Sequence, residues 1–222
     1  MSGKVAVVVF PGTNCEHDVV RALTLVGLQG ELVWHGQGSL DGYDAIVIPG
    51  GFAHGDYLRP GAIARFSNVM AAIVDRANEG TPTLGICNGF QVLTEAGLLP
   101  GALQKNSGLK FICMPEKLEV ASVSSIASSA ISLNQVVELP INHFEGNYTI
   151  SQDGYEELLE KDQVVFRYLN NPNGSVGSIA GISNVAGNVV GMMPHPERAT
   201  DLLLGSTDGL LIFESLKAKV SQ

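Results

Sequence analysis

Positive charge is scarce: 13 Lys and Arg stand against 22 Asp and Glu in 222 residues, a net charge of −9. A nucleic-acid-binding surface draws most of its affinity from Lys and Arg neutralising phosphates. This balance argues against one, and no basic block supplies a local exception. Long apolar runs are also missing. The longest fall well short of the ~18 residues that a membrane span needs. Met1-Ser2-Gly3-Lys4 leads straight into Val5–Phe10, which is too short for a secretory h-region with a cleavage site. The expectation is a cytoplasmic chain with neither nucleic acid nor membrane as a partner. Cysteine is sparse as well. Cys15, Cys87 and Cys113 are odd in number and widely spaced, which suits neither a disulfide framework nor a zinc knuckle. At least one thiol is free. No Gly-x-x-x-x-Gly-Lys-Ser/Thr run offers a phosphate cradle for ATP.

What the chain does have is glycine, 26 residues of it, placed between apolar runs. Val5–Phe10 is continuous and apolar and ends at Pro11-Gly12, as a buried parallel strand and its exit turn do. Thr13 or Asn14 is positioned to cap a helix whose apolar face is Val19, Val20, Leu23 and Val26, stopped by Gly27. Strands are expected at Glu31–His35 and Ala45–Ile48, the latter ending in Pro49-Gly50-Gly51. A helix from near Gly61 to before Gly80 follows, then a strand at Thr83–Ile86 and a short helix at Asn88–Glu95. This alternation predicts an α/β fold, an open and mostly parallel sheet with helices on both faces. Beyond Gly101, strands are expected at Phe111–Met114, Leu118–Val123, Val136–Ile141, Val164–Tyr168, Ile179–Ser183 and Val189–Met193, with a C-terminal helix at Asp208–Val220. The serine-rich stretch 122–132 reads as a variable loop or hairpin. With no repeat and no linker, residues 1–222 are expected to form a single domain.

Reactive groups in such sheets gather where strands end and helices begin. Gly85-Ile86-Cys87-Asn88-Gly89 stands at such a junction, with glycine two residues to each side of a cysteine. That is the pattern of a nucleophile elbow, in which side chains at the flanking positions would collide with sheet and helix. A thiol at a helix N-terminus also feels the positive end of the helix dipole. A buried structural cysteine among incidental glycines is the plain alternative. A thiol nucleophile needs a base and an orienting partner. His195, in Met193-Pro194-His195-Pro196-Glu197-Arg198, follows a strand, with Glu197 two residues on and prolines stiffening the loop. A His–Glu pair alone can also hold a metal, but no third ligand stands at metal spacing, so no metal site is expected. The backbone N–H of Asn88 and that of Gly51 are placed to form an oxyanion hole.

The elbow Gly85–Gln91, His195-Pro196-Glu197 and Pro49-Gly50-Gly51 together resemble the class I triad glutamine amidotransferases, a flavodoxin-like α/β family. Several runs are similar to the glutaminase subunits of phosphoribosylformylglycinamidine synthases: Phe10–Cys15, Gly50–Arg59, Gly61–Phe66, Asn171–Ser175 and Met193–Ala199. The resemblance covers nearly the whole chain. Phe144 after His143 departs from the family's His-Gly-Glu-Gly run, and the serine-rich stretch has no counterpart.

The resemblance implies a Cys87–His195–Glu197 triad that hydrolyses glutamine to glutamate and ammonia. It also implies a separate synthetase subunit, a small accessory subunit, and ATP and Mg²⁺ on the synthetase with no cofactor on this chain. Gln91 is similar to a substrate-contacting glutamine of the family. Asn142, His143 and Phe144 are expected to help hold the substrate's α-amino and carboxylate groups. Arg59 and Arg65 read either as docking residues for the synthetase or as solvated surface charge. Another class I amidotransferase complex, a different elbow-thiol enzyme and a silent scaffold subunit are the competing readings.

Overall fold

The computed structural model describes residues 3–51 and 67–220. The strands, in chain order, are β1 (Lys4–Val9), β2 (Gln29–Trp34), β3 (Ala45–Ile48), β4 (Thr83–Ile86), β5 (Ala102–Gln104), β6 (Ile112–Val120), β7 (Val136–His143), β8 (Asn147–Thr149), β9 (Val164–Tyr168), β10 (Ile179–Ser183) and β11 (Val189–Met192). The helices are α1 (Glu16–Leu25), α2 (Asn68–Asn78), α3 (Asn88–Glu95), α4 (Gln152–Glu160) and α5 (Gly209–Val220). Among the described residues nine strands form one sheet in the order β2-β1-β3-β4-β11-β10-β9-β6-β7, and β5 pairs with β8 apart from it.

The β2-β1-β3-β4-β11 portion is parallel throughout. Its central members β3, β4 and β11 are buried at every position. This is the burial that uninterrupted Val/Ile/Leu runs require when both faces of a sheet are covered. From β1 the chain steps outward through α1 to β2, whereas from β3 it steps the other way to β4. Right-handed crossovers in opposite directions place their helical connections on opposite faces. The loops leaving β1 and β3 diverge at this point, making a crevice at the carboxyl ends of the strands.

Antiparallel pairing then takes over from β11 through β10, β9, β6 and β7. Burial alternates along β7, the mark of a strand with only one covered face. Two strands were expected across Phe111–Val123, but β6 is one. Pro115 interrupts the sequence pattern without breaking the strand: it lies opposite Pro140 of β7, and β9 pairs only with the Leu118–Val120 end. A proline on an otherwise unpaired edge removes no ladder bond.

Helix α1 begins after Cys15 as N-cap, with no side-chain cap. Thr13 Oγ1 instead accepts from the Phe10 N–H at 3.0 Å, and Asn14 Oδ1 accepts the Cys15 thiol proton at 3.1 Å. The expected helix start near Gly61 lies outside the described residues. The serine-rich stretch is irregular but docked. Ser122, Ser125 and Ser128 are buried; Ser122 donates to Asp162 at 2.7 Å, and Ser215 Oγ of α5 accepts from the Ala130 N–H at 3.0 Å. Among the described residues no helix is long and apolar enough to cross a membrane.

Candidate active site

Cys87 sits between β4 and α3 with φ 51° and ψ −105°. A non-glycine residue in this sparsely populated region costs about 1–3 kcal/mol and must be held there by its surroundings. The holding groups are visible. The Cys87 N–H donates to Met192 O of β11 at 2.7 Å, and its carbonyl accepts from the Phe90 and Gln91 N–H groups. The flanking glycines are sterically required. A Cβ on Gly89 would lie 2.0 Å from the Ile48 carbonyl oxygen of β3, and one on Gly85 would lie 2.7 Å from the Gly89 backbone. Helix α3 therefore lies directly on the sheet. Phe90 packs over Gly191, where a Cβ would come within 2.1 Å of its ring, and burying such a ring contributes roughly 1.5–3 kcal/mol.

His195 arrives from the other side. Beyond β11 the chain runs through Met193-Pro194, the His195 N–H donates to Pro140 O at 2.8 Å, and Pro196–Arg198 form one 3₁₀ turn. That turn brings Glu197 back beneath the ring, with Nδ1 to Oε1 at 2.6 Å and both side chains almost wholly buried. Helix α5 abuts the turn through Gly209, where a Cβ would fall 1.9 Å from Pro196 O. Gly50 completes the wall: a Cβ there would meet His195 Cε1 at 2.7 Å and Cys87 Cβ at 3.3 Å. Cys87 and His195 thus share the space that only glycine at position 50 leaves open. Burial alone would push the imidazole toward its neutral form. The Glu197 carboxylate and then Cys87 outweigh it and hold the His195 pKa well above the usual histidine value.

Gly51 turns at φ 150° and pairs with Thr13 in an isolated bridge. A Cβ at Gly51 would lie 2.8 Å from Asn14 N, Gly12 O and Thr13 Cα. Asn88 is the first residue of α3; its side chain donates to Gln91 Oε1 at 2.8 Å, and Gln91 Nε2 donates to Glu145 O at 2.7 Å. Gln91 thereby ties the elbow helix to the loop after β7. Just before that loop, at the end of β7, the Asn142 carbonyl lies 3.7 Å from Cys87 Sγ.

His143 is buried, its Nδ1 3.1 Å from Asn106 Oδ1. Burial and the nearby His195 lower its pKa to about 4, so near neutrality it is uncharged. Asn106 donates Nδ2 to the carbonyls of Lys110 and His143, which leaves Oδ1 to accept and puts the His143 proton on Nδ1. Phe144 is half-buried, its ring 5.9 Å from Lys105 Nζ and its carbonyl accepting from the Asn106 N–H at 2.9 Å. The Asn142 carbonyl thus lies beside the thiol, His143 is held by Asn106, and Phe144 faces Lys105. Arg59 and Arg65 lie outside the described residues.

Three structural contributors were not anticipated. Asn106 braces the end of β7 and the loop after it, through His143 and Gly146. The Asn171–Ser175 turn does so too, with Asn173 Nδ2 donating to Gly146 O at 2.7 Å and the Tyr148 N–H donating to Ser175 Oγ at 3.0 Å. The Asn-Pro-Asn-Gly-Ser run was the available signal. The third is Cys15. Its Sγ, a His195 ring nitrogen and a Glu197 carboxylate oxygen all lie within 4.8 Å of one another. A Cys–His–Glu set is a metal-ligand chemistry, but Arg198 Nη2 stands 3.1 Å from the same sulfur. A fixed guanidinium there opposes a divalent cation.

Residues 2–208 match the family model for the CobB/CobQ-like glutamine amidotransferase domain. The chain is similar to one in the structure of PurLQS from Thermotoga maritima, with 42% identity, a TM-score of 0.90, and coverage of 97% of this chain and 98% of that one. It shares its fold with a glutamine amidotransferase from Thermotoga maritima (16% identity, TM-score 0.67, all of both chains). The same holds for the glutaminase domain of CTPS from Trypanosoma brucei with bound acivicin (14% identity, TM-score 0.64, 99% of this chain and 94% of that one). With an elbow thiol facing a buried His–Glu pair, and a family match over nearly its full length, this chain belongs to the CobB/CobQ-like glutamine amidotransferases.

Proposed function

We propose that the chain hydrolyses glutamine at Cys87, and that the ammonia serves a separate synthetase that makes formylglycinamidine ribonucleotide in purine synthesis. The observation that carries the chemistry is the strained Cys87 elbow facing the buried His195–Glu197 pair across Gly50. The similarity to a PurLQS chain supports the pathway.

In this reading the Cys87 sulfur attacks the side-chain amide carbon of glutamine, and His195 takes up the thiol proton. The N–H groups of Asn88 and Gly51 hold the oxyanion. Collapse breaks the C–N bond as His195 returns the proton, so ammonia leaves and a γ-glutamyl thioester remains on Cys87. His195 then takes a proton from water, which attacks the thioester; glutamate departs and the thiol is restored. Glu197 keeps the ring oriented and stabilises its charged form. Gln91, Asn142, His143 and Phe144 are assigned to help hold the substrate's α-amino and carboxylate groups, a reading supported by the Asn142 carbonyl beside the thiol. ATP and Mg²⁺ belong to the synthetase, with a small accessory subunit completing the assembly, and residues 1–222 act as one glutaminase domain.

The test is glutamine-dependent formation of formylglycinamidine ribonucleotide by the chain mixed with a matching synthetase, ATP, Mg²⁺ and formylglycinamide ribonucleotide. Product formation that needs this chain supports the reading. Glutamate release without that product would leave a glutaminase serving a different acceptor.

A further inference from the structure

The loop after β1 is not part of the triad, yet it touches both halves of the site. Thr13 pairs with Gly51, and the Asn14 N–H donates to Gly50 O at 3.4 Å. Two residues beyond Thr13, the Cys15 sulfur reaches the other half, within 4.8 Å of a His195 ring nitrogen and a Glu197 carboxylate oxygen. That sulfur is itself fixed. It is 1% exposed, its thiol proton goes to Asn14 Oδ1, and it accepts from Arg198 Nη2 at 3.1 Å. Arg198 in turn lies 3.8 Å from Asp18 in the first turn of α1. Glu197 Oε2 and His195 Nε2 are buried with no hydrogen-bond partner among the described residues. Among the described residues the pair's hydrogen bond is the mutual Nδ1–Oε1 one, so what holds the pair in place is the set of groups packed around it.

We propose that Cys15 is a positioning residue for the reaction base: its sulfur, gripped by Arg198 and Asn14, is the stop against which the buried His195–Glu197 pair is held. The same loop seats the Gly50-Gly51 turn, so the base and the oxyanion turn share one anchor. A buried pair whose geometric hydrogen bond is the mutual one can tilt as a unit, and the packed sulfur prevents that tilt.

Among the described residues, the charged and titratable groups around His195 are Glu197 and Arg198 on its own turn, Cys87 on the elbow, Cys15 on the first loop and His143 at the end of β7. Of these, Cys15 alone both contacts the pair and belongs to the loop that holds Gly51. Its contact also favours the protonated ring. Removing the sulfur therefore weakens the imidazolium that faces Cys87, and the onset of Cys87 reactivity moves to higher pH.

The proposal rests on the glutaminase reading for its kinetic arm, so a second arm uses neither glutamine nor the synthetase. Cys15→Ala and Cys15→Ser are compared with the parent chain. The kinetic arm measures kcat and KM for glutamine in the reconstituted complex. The second arm follows alkylation of Cys87 by iodoacetamide against pH, with the modified cysteine identified by peptide mass spectrometry.

Cys15→Ala should lower kcat about 10- to 100-fold at little-changed KM, the scale of a sub-ångström to 1 Å displacement of a catalytic group. It should also raise the pH at which Cys87 alkylation begins. Cys15→Ser, which keeps a donor and acceptor for Asn14 and Arg198, should recover most of both effects, while the two variants melt alike. A Cys15→Ala chain with the parent's alkylation profile overturns the proposal. So does a Cys15→Ser chain as impaired as Cys15→Ala. If the parent chain releases no glutamate but its Cys87 profile still depends on Cys15, the glutaminase reading fails and the positioning role stands.

Discussion

Gly89→Ala isolates the steric logic of the elbow. The added Cβ would sit 2.0 Å from the Ile48 carbonyl oxygen, 2.8 Å from its carbonyl carbon and 3.1 Å from its Cβ. A carbon–oxygen contact relaxes to about 3.3 Å, so α3 and β3 must separate by about 1.3 Å. Backbone on both sides leaves no flexible side chain to give way. Overpacking of this kind costs about 1–3 kcal/mol, which in a chain of this size lowers Tm by about 2–12 °C. The same shift pulls Cys87, the residue before α3, away from His195, and displacement by about 1 Å costs on the order of 10²-fold in rate. Gly108→Ala is the control, because a Cβ there meets nothing within 4 Å and its φ is not positive. Thermal unfolding and glutamate release measured on both variants decide the matter. A Gly89→Ala chain within about 0.5 kcal/mol of the parent, and as active, would refute the steric argument for the motif.

The base and its partner should separate kinetically. His195→Ala removes the proton carrier, whereas Glu197→Gln keeps a hydrogen-bond acceptor at 2.6 Å and loses only the charge, so glutamate release should fall further in the former; equal losses would assign Glu197 a larger role. Stability should also respond to acid through His143. Its folded pKa of about 4 lies below the ordinary 6.5, so its contribution is full above pH 6.5 and is lost as pH falls toward 4, on the order of 3 kcal/mol. Urea unfolding between those pH values should show this slope, and a His143→Gln chain should flatten it. His195 has the opposite sign. Its raised pKa makes its contribution full below about 6.5 and lost as pH rises through the folded value, so the stability gap between the parent and Glu197→Gln should narrow in alkali.

The legible parts of the chain were those whose physics is local. Thr83–Ile86 and Asn88–Glu95 match the observed elements to the residue, because an apolar run, two obligatory glycines and a helix stop sit side by side in the sequence. His195 and Glu197 were readable for the same reason, being two residues apart on a proline-stiffened turn. What escaped depends on distant partners. β5 and β8 are three residues each and exist by pairing with one another across some 45 residues, with no periodicity to reveal them. Helix α4 buries only Leu158, so its apolar stripe is too thin to register, although Ser151 caps it by accepting from the Gly154 N–H.

The serine-rich stretch is a loop, as its sequence suggested, but its burial was not legible. Its hydroxyls are satisfied by one another, by Asp162 and by the Ser215 carbonyl, which lets Ser122, Ser125 and Ser128 be buried. Cys15 lies 72 residues from Cys87 and 180 from His195 in sequence, and only the fold brings its sulfur to the base. The sparse metal spacing that argued against a third ligand was a statement about sequence distance, not about space.

The most direct test of the central claim is glutamate release by the purified chain and by Cys87→Ala, each alone and with a matching synthetase, ATP, Mg²⁺ and formylglycinamide ribonucleotide. The account predicts glutamate from the parent chain, strongest in the full mixture, and none from a Cys87→Ala chain that keeps its fold by circular dichroism. Undiminished glutamate release by Cys87→Ala would contradict it.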